Sequence, residues 1–158
     1  MKKCILISKA LIGDLQTRAV EGLPNEAGGF LIGSRTKMGM IVTKATGPYQ
    51  KDVSSKTRFK RIDKRHRTNI LITWRLSGTK ETLLGDWHSH TSSNLGYSET
   101  DREGWTELIS KNQSPMIGLI VNSDSIQMYC LSLSHRLKIE VAQHLIENNT
   151  NILYEFNE

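Results

Sequence analysis

Leu83-Leu84-Gly85-Asp86-Trp87-His88-Ser89-His90, with Ser98-Glu99-Thr100-Asp101 seven residues further on, is the stretch on which the fold turns. The first part is apolar and ends on two histidines, which reads as a buried strand over Leu83–His88. Side chains two apart on a strand project to one face, so His88 and His90 look one way and the small Ser89 the other. Thr91 to Tyr97 is a small-residue loop, and Ser98 opens a helix reaching Lys111, stopped before Pro115. Asp101 lies eleven residues beyond His90, and a strand–loop–helix connection can fold its carboxylate back onto the two imidazoles. Three such groups plus a water form the open, catalytic zinc pattern rather than the closed structural one. A plainer reading stands beside it: Ser98 is a helix N-cap, and Asp101 is the acidic residue three positions on. Asp86 shares the histidine face and is a rival ligand.

Outward from this run, the chain alternates strand and helix signals. Residues 2–7 predict a short strand, and Ser8 caps a helix whose apolar face is Leu11, Ile12, Leu15 and Val20, ended by Gly22 and Pro24. Glu26-Ala27-Gly28-Gly29-Phe30-Leu31-Ile32-Gly33 is a glycine-rich apolar strand; Gly39 turns it into a return strand from Met40. A polar stretch follows Gly47-Pro48 to about residue 60. A helix is predicted over 63–77, with Ile62, His66, Ile70 and Trp74 along one face. Residues 116–121 and 125–133 form a hairpin around Asn122-Ser123-Asp124. The stretch 137–148 reads as a helix, before a weak apolar run at 152–156. The expectation is one mixed α/β domain over residues 1–158.

At 158 residues and 37% hydrophobic, the chain is long enough for one core and is neither disordered nor fibrous. It has no run of about 20 apolar residues and no signal-like segment, so a cytoplasmic protein is expected. Cys4 and Cys130 are distant and outside any Cys-x-x-Cys pair, so reduced thiols are expected. The net charge of +5 is local: residues 51–67 hold eight Lys or Arg against Asp52 and Asp63, a segmental +6. That segment can steer an acidic partner. With Phe59 as its one aromatic, it offers no stacking platform for nucleic acid. The pattern of a zinc nucleobase deaminase is absent, and so is a serine- or cysteine-hydrolase nucleophile motif. His66, His135 and His144 lack ligand spacing and read as surface or satisfied core histidines.

His88-Ser89-His90, seven residues, then Ser98-Glu99-Thr100-Asp101 resembles the motif of the JAMM (JAB1/MPN/Mov34) metallopeptidases. The likeness extends upstream to Glu26–Gly33, which is similar to that family's strand bearing a catalytic glutamate. It implies a JAB1/MPN-like mixed sheet flanked by helices. It also implies zinc held by His88, His90 and Asp101, Glu26 as the proton carrier and Ser98 as donor to the oxyanion. Asp86 is then expected to be a structural group or one that orients an imidazole. Thr91 departs from the family, which usually has proline there, and a more mobile loop is expected. Gly85-Asp86-Trp87 before the histidines resembles a bacterial branch found in cyclic-oligonucleotide anti-phage (CBASS) operons. Those enzymes release a nucleotidyltransferase C-terminus from a conjugate, so the resemblance implies a protein substrate with such a tail, or a ubiquitin-like one. Two alternatives stand: a non-catalytic MPN-type scaffold, and a nucleic-acid-binding accessory protein using residues 51–67.

Overall fold

The computed structural model describes residues 1–157. Strand β1 (Lys2–Ser8) leads into helix α1 (Lys9–Gly22), whose first turn is closed by the Ser8 hydroxyl oxygen accepting Leu11 N–H at 3.0 Å. Strands β2 (Gly28–Thr36) and β3 (Gly39–Ala45) form the expected hairpin. The polar stretch holds a two-stranded ribbon, β4 (Val53–Ser54) and β5 (Phe59–Lys60), then helix α2 (Arg65–Leu76). Strand β6 (Glu81–Ser89), helix α3 (Glu99–Asn112), β7 (Met116–Val121) and β8 (Ile126–Leu133) follow as read. The fold is mixed α/β, with its helices packed on the sheet.

The C-terminal expectation is corrected. Residues 137–148 are not a helix but strands β9 (Leu137–Val141) and β10 (Gln143–Glu147), and the final apolar run is β11 (Asn151–Asn157). Leu137, Ile139 and Val141 alternate with polar residues, the period of a strand, and β8 supplies the hydrogen-bonding edge that decides for it. The nine-stranded sheet runs β10-β11-β1-β3-β2-β6-β7-β8-β9, with β1–β3 and β6–β7 parallel and the other pairs antiparallel. Its first and last strands are separated in the chain by Ala142 alone. Adjacent Cα atoms are about 3.8 Å apart, so the two edges must meet there, and the sheet curls on itself.

The curl makes two cores. Ile12, Leu15 and Ala19 of α1 pack with Ile5, Ile7, Leu31, Trp87, Leu119 and Phe156 on one face. Trp105 and Ile109 of α3 pack with Met116, Ile120, Tyr129 and Leu131 on the other. Every residue of β7 is buried, as expected of a strand covered on both faces. Two expected helix faces shift for one reason. Counting from Ile12, position 19 lies about 20° off the inward direction and position 20 about 80°, so Ala19 is buried and Val20 is exposed. Counting from His66, the same rotation buries Thr73 and leaves Trp74 41% exposed. No helix among the described residues is long and apolar enough to cross a membrane.

Candidate metal centre

Strand β6 delivers both histidines at its end. His88 is buried and His90 half-buried, and His90 N–H donates to the Val121 carbonyl at 3.0 Å, holding the strand exit against β7. Between them, Ser89 points away and clamps the start of β2. Its Oγ accepts the Ala27 N–H at 2.8 Å, and its own N–H donates to the Ala27 carbonyl at 2.8 Å. Glu26, the residue before Ala27, is thereby fixed at the mouth of the same groove as His88. Ser55 accepts the Glu26 N–H at 2.8 Å from the other side. In the sequence Ser89 is only a small residue between two histidines, and nothing in its spacing marks the clamp.

Ser98 and Asp101 form a reciprocal capping box at the start of α3. Ser98 Oγ accepts Asp101 N–H at 3.1 Å, and Asp101 Oδ2 accepts Ser98 N–H at 2.8 Å. The cap and the cluster are one arrangement, because the carboxylate also reaches the imidazoles. His88 Nε2 lies 3.0 Å from Asp101 Oδ1, His90 Nε2 lies 3.1 Å from Asp101 Oδ2, and the two Nε2 atoms are 3.2 Å apart. Among the described residues, this is the one trio of His, Cys, Asp or Glu so arranged.

That triangle fits a metal ion. Ligand atoms at 2.0–2.1 Å from a tetrahedral zinc stand about 3.3–3.4 Å from one another, close to the edges found here. Two imidazole nitrogens facing each other across 3.2 Å also call for a shared proton or cation. His90 Nδ1 lies 2.8 Å from the Asn94 carbonyl, the bond that fixes its other nitrogen as the free donor atom. Without a metal, burial raises the Asp101 carboxyl, but hydrogen bonds from His88 and His90 outweigh it and hold the group far below the ordinary carboxylate range. Burial opposes charge on His90, yet Asp101 and the Asn94 carbonyl raise its pKa overall. Glu26 is raised by burial, against the pull of His88, His90 and Arg61. A carboxyl so placed sits nearer the range of a working base.

The cluster opens onto a groove of about 640 Å³. One wall is the 58–62 segment, with Phe59 and Ile62; the other is α3, with Glu103, Glu107 and Leu108. The basic segment is built in as much as displayed. Arg61 Nε donates to the Gly29 carbonyl at 2.7 Å and its Nη2 to the Trp87 carbonyl at 2.6 Å, while Arg65 pairs with Asp63 at 2.7 Å. Phe59 packs where a Cβ on Gly28 would sit, 2.7 Å from Cδ1, and Arg61 lies over its ring.

One expectation about a neighbour changes. Asp86 neither joins the ligand trio nor orients an imidazole: its Oδ1 accepts the Trp105 indole N–H at 2.8 Å, and its Oδ2 lies 3.5 Å from Arg61. At Thr91, where the family usually has proline, the hydroxyl donates to the Lys56 carbonyl at 3.1 Å. The same loop is tied by Asn122 to the Ser92 carbonyl and by Tyr129 to the Leu95 carbonyl. His66 is the satisfied core histidine expected, and His135 and His144 are exposed outside any cluster. Cys4 is a half-buried free thiol, and Cys130 is buried in the core.

A curled α/β sheet carries a His–His–Asp trio, compatible with a metal ion, beside a groove. The chain belongs to the prokaryotic homologs of the JAB domain, whose family model matches residues 8–132. Three curated relatives, each named "CD-NTase/cGAS isopeptidase", are similar to it. The one from Pseudomonas aeruginosa is 32% identical over 64% of this chain and 65% of its own, so the match spans just under two thirds of that relative. Those from Vibrio cholerae and Escherichia coli are 26% and 28% identical, covering 70% and 77% of this chain and 70% and 78% of theirs. The solution structure of protein DSY2949 from Desulfitobacterium hafniense has the same fold, with a TM-score of 0.60 at 20% identity over 84% of this chain and 87% of that one.

Proposed function

We propose that this chain is a zinc-dependent isopeptidase acting as a single catalytic unit in the bacterial cytoplasm. It cleaves the amide that joins a protein's C-terminal tail to an amine, reversing conjugation in CBASS-type anti-phage defence. The tail is that of a cyclic-oligonucleotide synthase or a ubiquitin-like protein. The observation that carries this reading is the His88–His90–Asp101 triangle beside the buried Glu26, opening onto a groove of about 640 Å³. The names of the three relatives supply the class of bond and substrate.

His88, His90 and Asp101 would hold the zinc, which would supply Lewis acidity that lowers the pKa of the attacking water toward about 7. Glu26 takes a proton from the water as its oxygen attacks the amide carbon, then delivers that proton to the departing nitrogen as the C–N bond breaks. Its side chain is buried yet lines the groove, so it faces the space in which the amide would lie. The Ser98 oxygen is already an acceptor for Asp101 N–H, so its O–H is free to donate to the carbonyl oxygen as negative charge gathers there. The exposed lysines and arginines of residues 51–67 draw an acidic partner toward the groove.

The test uses a conjugate in which such a synthase tail is linked to a lysine side chain. Wild-type protein should release the tail, and Glu26→Gln should slow release by about 10²–10⁴-fold with zinc retained. Unchanged release by the Glu26→Gln protein would sink the assignment. If the wild type releases nothing while holding zinc, the chain is a scaffold instead.

A further inference from the structure

Asp86 is 5% exposed and two residues before His88, yet it takes no part in the ligand triangle. Its partners lie on both walls of the groove. The Trp105 indole N–H donates to Oδ1 at 2.8 Å from α3, and the Arg61 guanidinium stands 3.5 Å from Oδ2, itself bolted to the Gly29 and Trp87 carbonyls. Trp105 is one helical turn beyond Asp101 on α3, so both side chains leave the same face of that helix. The sheet is shaped to receive the ring. Gly118 is the register partner of Asp86 on β7, and a Cβ there would fall within the indole, 2.6 Å from Cε2.

We propose that Asp86 is a positioning residue: its bond to Trp105, seated on Gly118, sets the height of α3 over β6. That height fixes the distance from the Asp101 carboxylate to His88 and His90. Arg61 holds the other carboxylate oxygen, so Asp86 cannot turn away when α3 moves. Apolar packing of Trp105 and Ile109 alone would let the helix slide along its axis, because such contacts are not directional. A single buried hydrogen bond to a charged acceptor is directional. The tie therefore acts on metal affinity through Asp101, without touching the metal. This inference rests on the reading that His88, His90 and Asp101 hold zinc.

Zinc affinity is measured by competition with a chromogenic chelator, and ligand geometry by the visible absorption of the cobalt(II)-loaded protein. Trp105→Phe keeps an aromatic ring and removes the donor. It should weaken zinc binding by about 10–100-fold and alter the cobalt spectrum while the protein remains folded. Asp86→Ala should do the same, and the double variant should be no worse than the poorer single one, because both remove one bond. Ile109→Val loosens the same helix at a distance from Asp86 and should leave affinity and spectrum unchanged. Wild-type affinity and spectrum in Trp105→Phe would overturn the proposal, as would additive losses or an equal loss in Ile109→Val. Should Asp86→Ala not fold, Trp105→Phe against Ile109→Val decides alone. A wild type that binds no zinc overturns the metal-site reading and this inference together. A His88-dependent zinc site indifferent to Trp105→Phe overturns this inference only.

Discussion

The Ser98 hydroxyl accepts the Asp101 N–H and still has its own proton to give, so in the proposed mechanism one side chain serves both the helix and the chemistry. Its two roles separate on substitution. Ser98→Ala should cost about 1 kcal/mol of stability through the lost cap, whereas Ser98→Gly should cost only a few tenths. Both should lower kcat by about 10²–10³-fold, because both remove the oxyanion donor. Thermal melts beside steady-state kinetics check this, and a kcat that merely followed stability would leave Ser98 as a cap alone. Much of the candidate site was legible at this scale. The one-residue gap between His88 and His90, the polar start at Ser98 and the carboxylate at Asp101 each constrain local geometry strongly. Glu26 was reached through a resemblance, since a glutamate after Pro24-Asn25 reads by itself as a solvated loop residue. Arg61 and Ser89 were not legible. The bonds that matter at each are to backbone carbonyls and amides distant in sequence, and such bonds leave no spacing pattern.

At the scale of elements, the 47–64 segment depends on a buried core histidine. His66 Nε2 lies 2.7 Å from Asp52 Oδ2, and its Nδ1 lies 2.7 Å from Thr46 Oγ1, which also accepts the Phe30 N–H at 2.9 Å. Nε2 therefore donates to the carboxylate, and Nδ1 accepts from the threonine. Burial lowers the pKa of His66, and the bond and charge of Asp52 offset only part of that shift. The unfolded chain accordingly binds a proton at higher pH than the folded one. Stability is complete above the unfolded imidazole's value of about 6.5 and falls as pH drops from there toward the depressed folded value. His66→Gln should lose about 1–3 kcal/mol at pH 7 by disturbing the buried pair, and should show a flatter dependence below pH 6.5. An unaltered slope in urea melts between pH 7 and 5 would contradict this. The errors of the sequence reading also fall at this scale. Runs counted in steps of four drift about 40° per turn, enough to turn Val20 and Trp74 outward. At 137–148 a spacing of four from Leu137 to Val141 to Leu145 competes with simple alternation, and only the partner strands β8 and β11 resolve it.

Over the whole molecule, the curled sheet is what brings these parts together. The parallel pairing of β6 with β7 requires a crossover, and α3 is that crossover, so its N-terminal cap is returned to the end of the strand that carries the histidines. The antiparallel pairing of β2 with β6 sets Gly28 opposite His88 and delivers Glu26 from the other side. His88 thus comes from the end of β6 with His90 just beyond it, Asp101 from the first turn of α3, and Glu26 from the residues that lead into β2. The most direct check is the zinc content of purified wild-type, His88→Ala and Glu26→Gln proteins, measured by elemental mass spectrometry. About one zinc per chain is expected in the wild type and in Glu26→Gln, and none in His88→Ala. Stoichiometric zinc surviving in His88→Ala, or zinc lost from Glu26→Gln, would contradict the account.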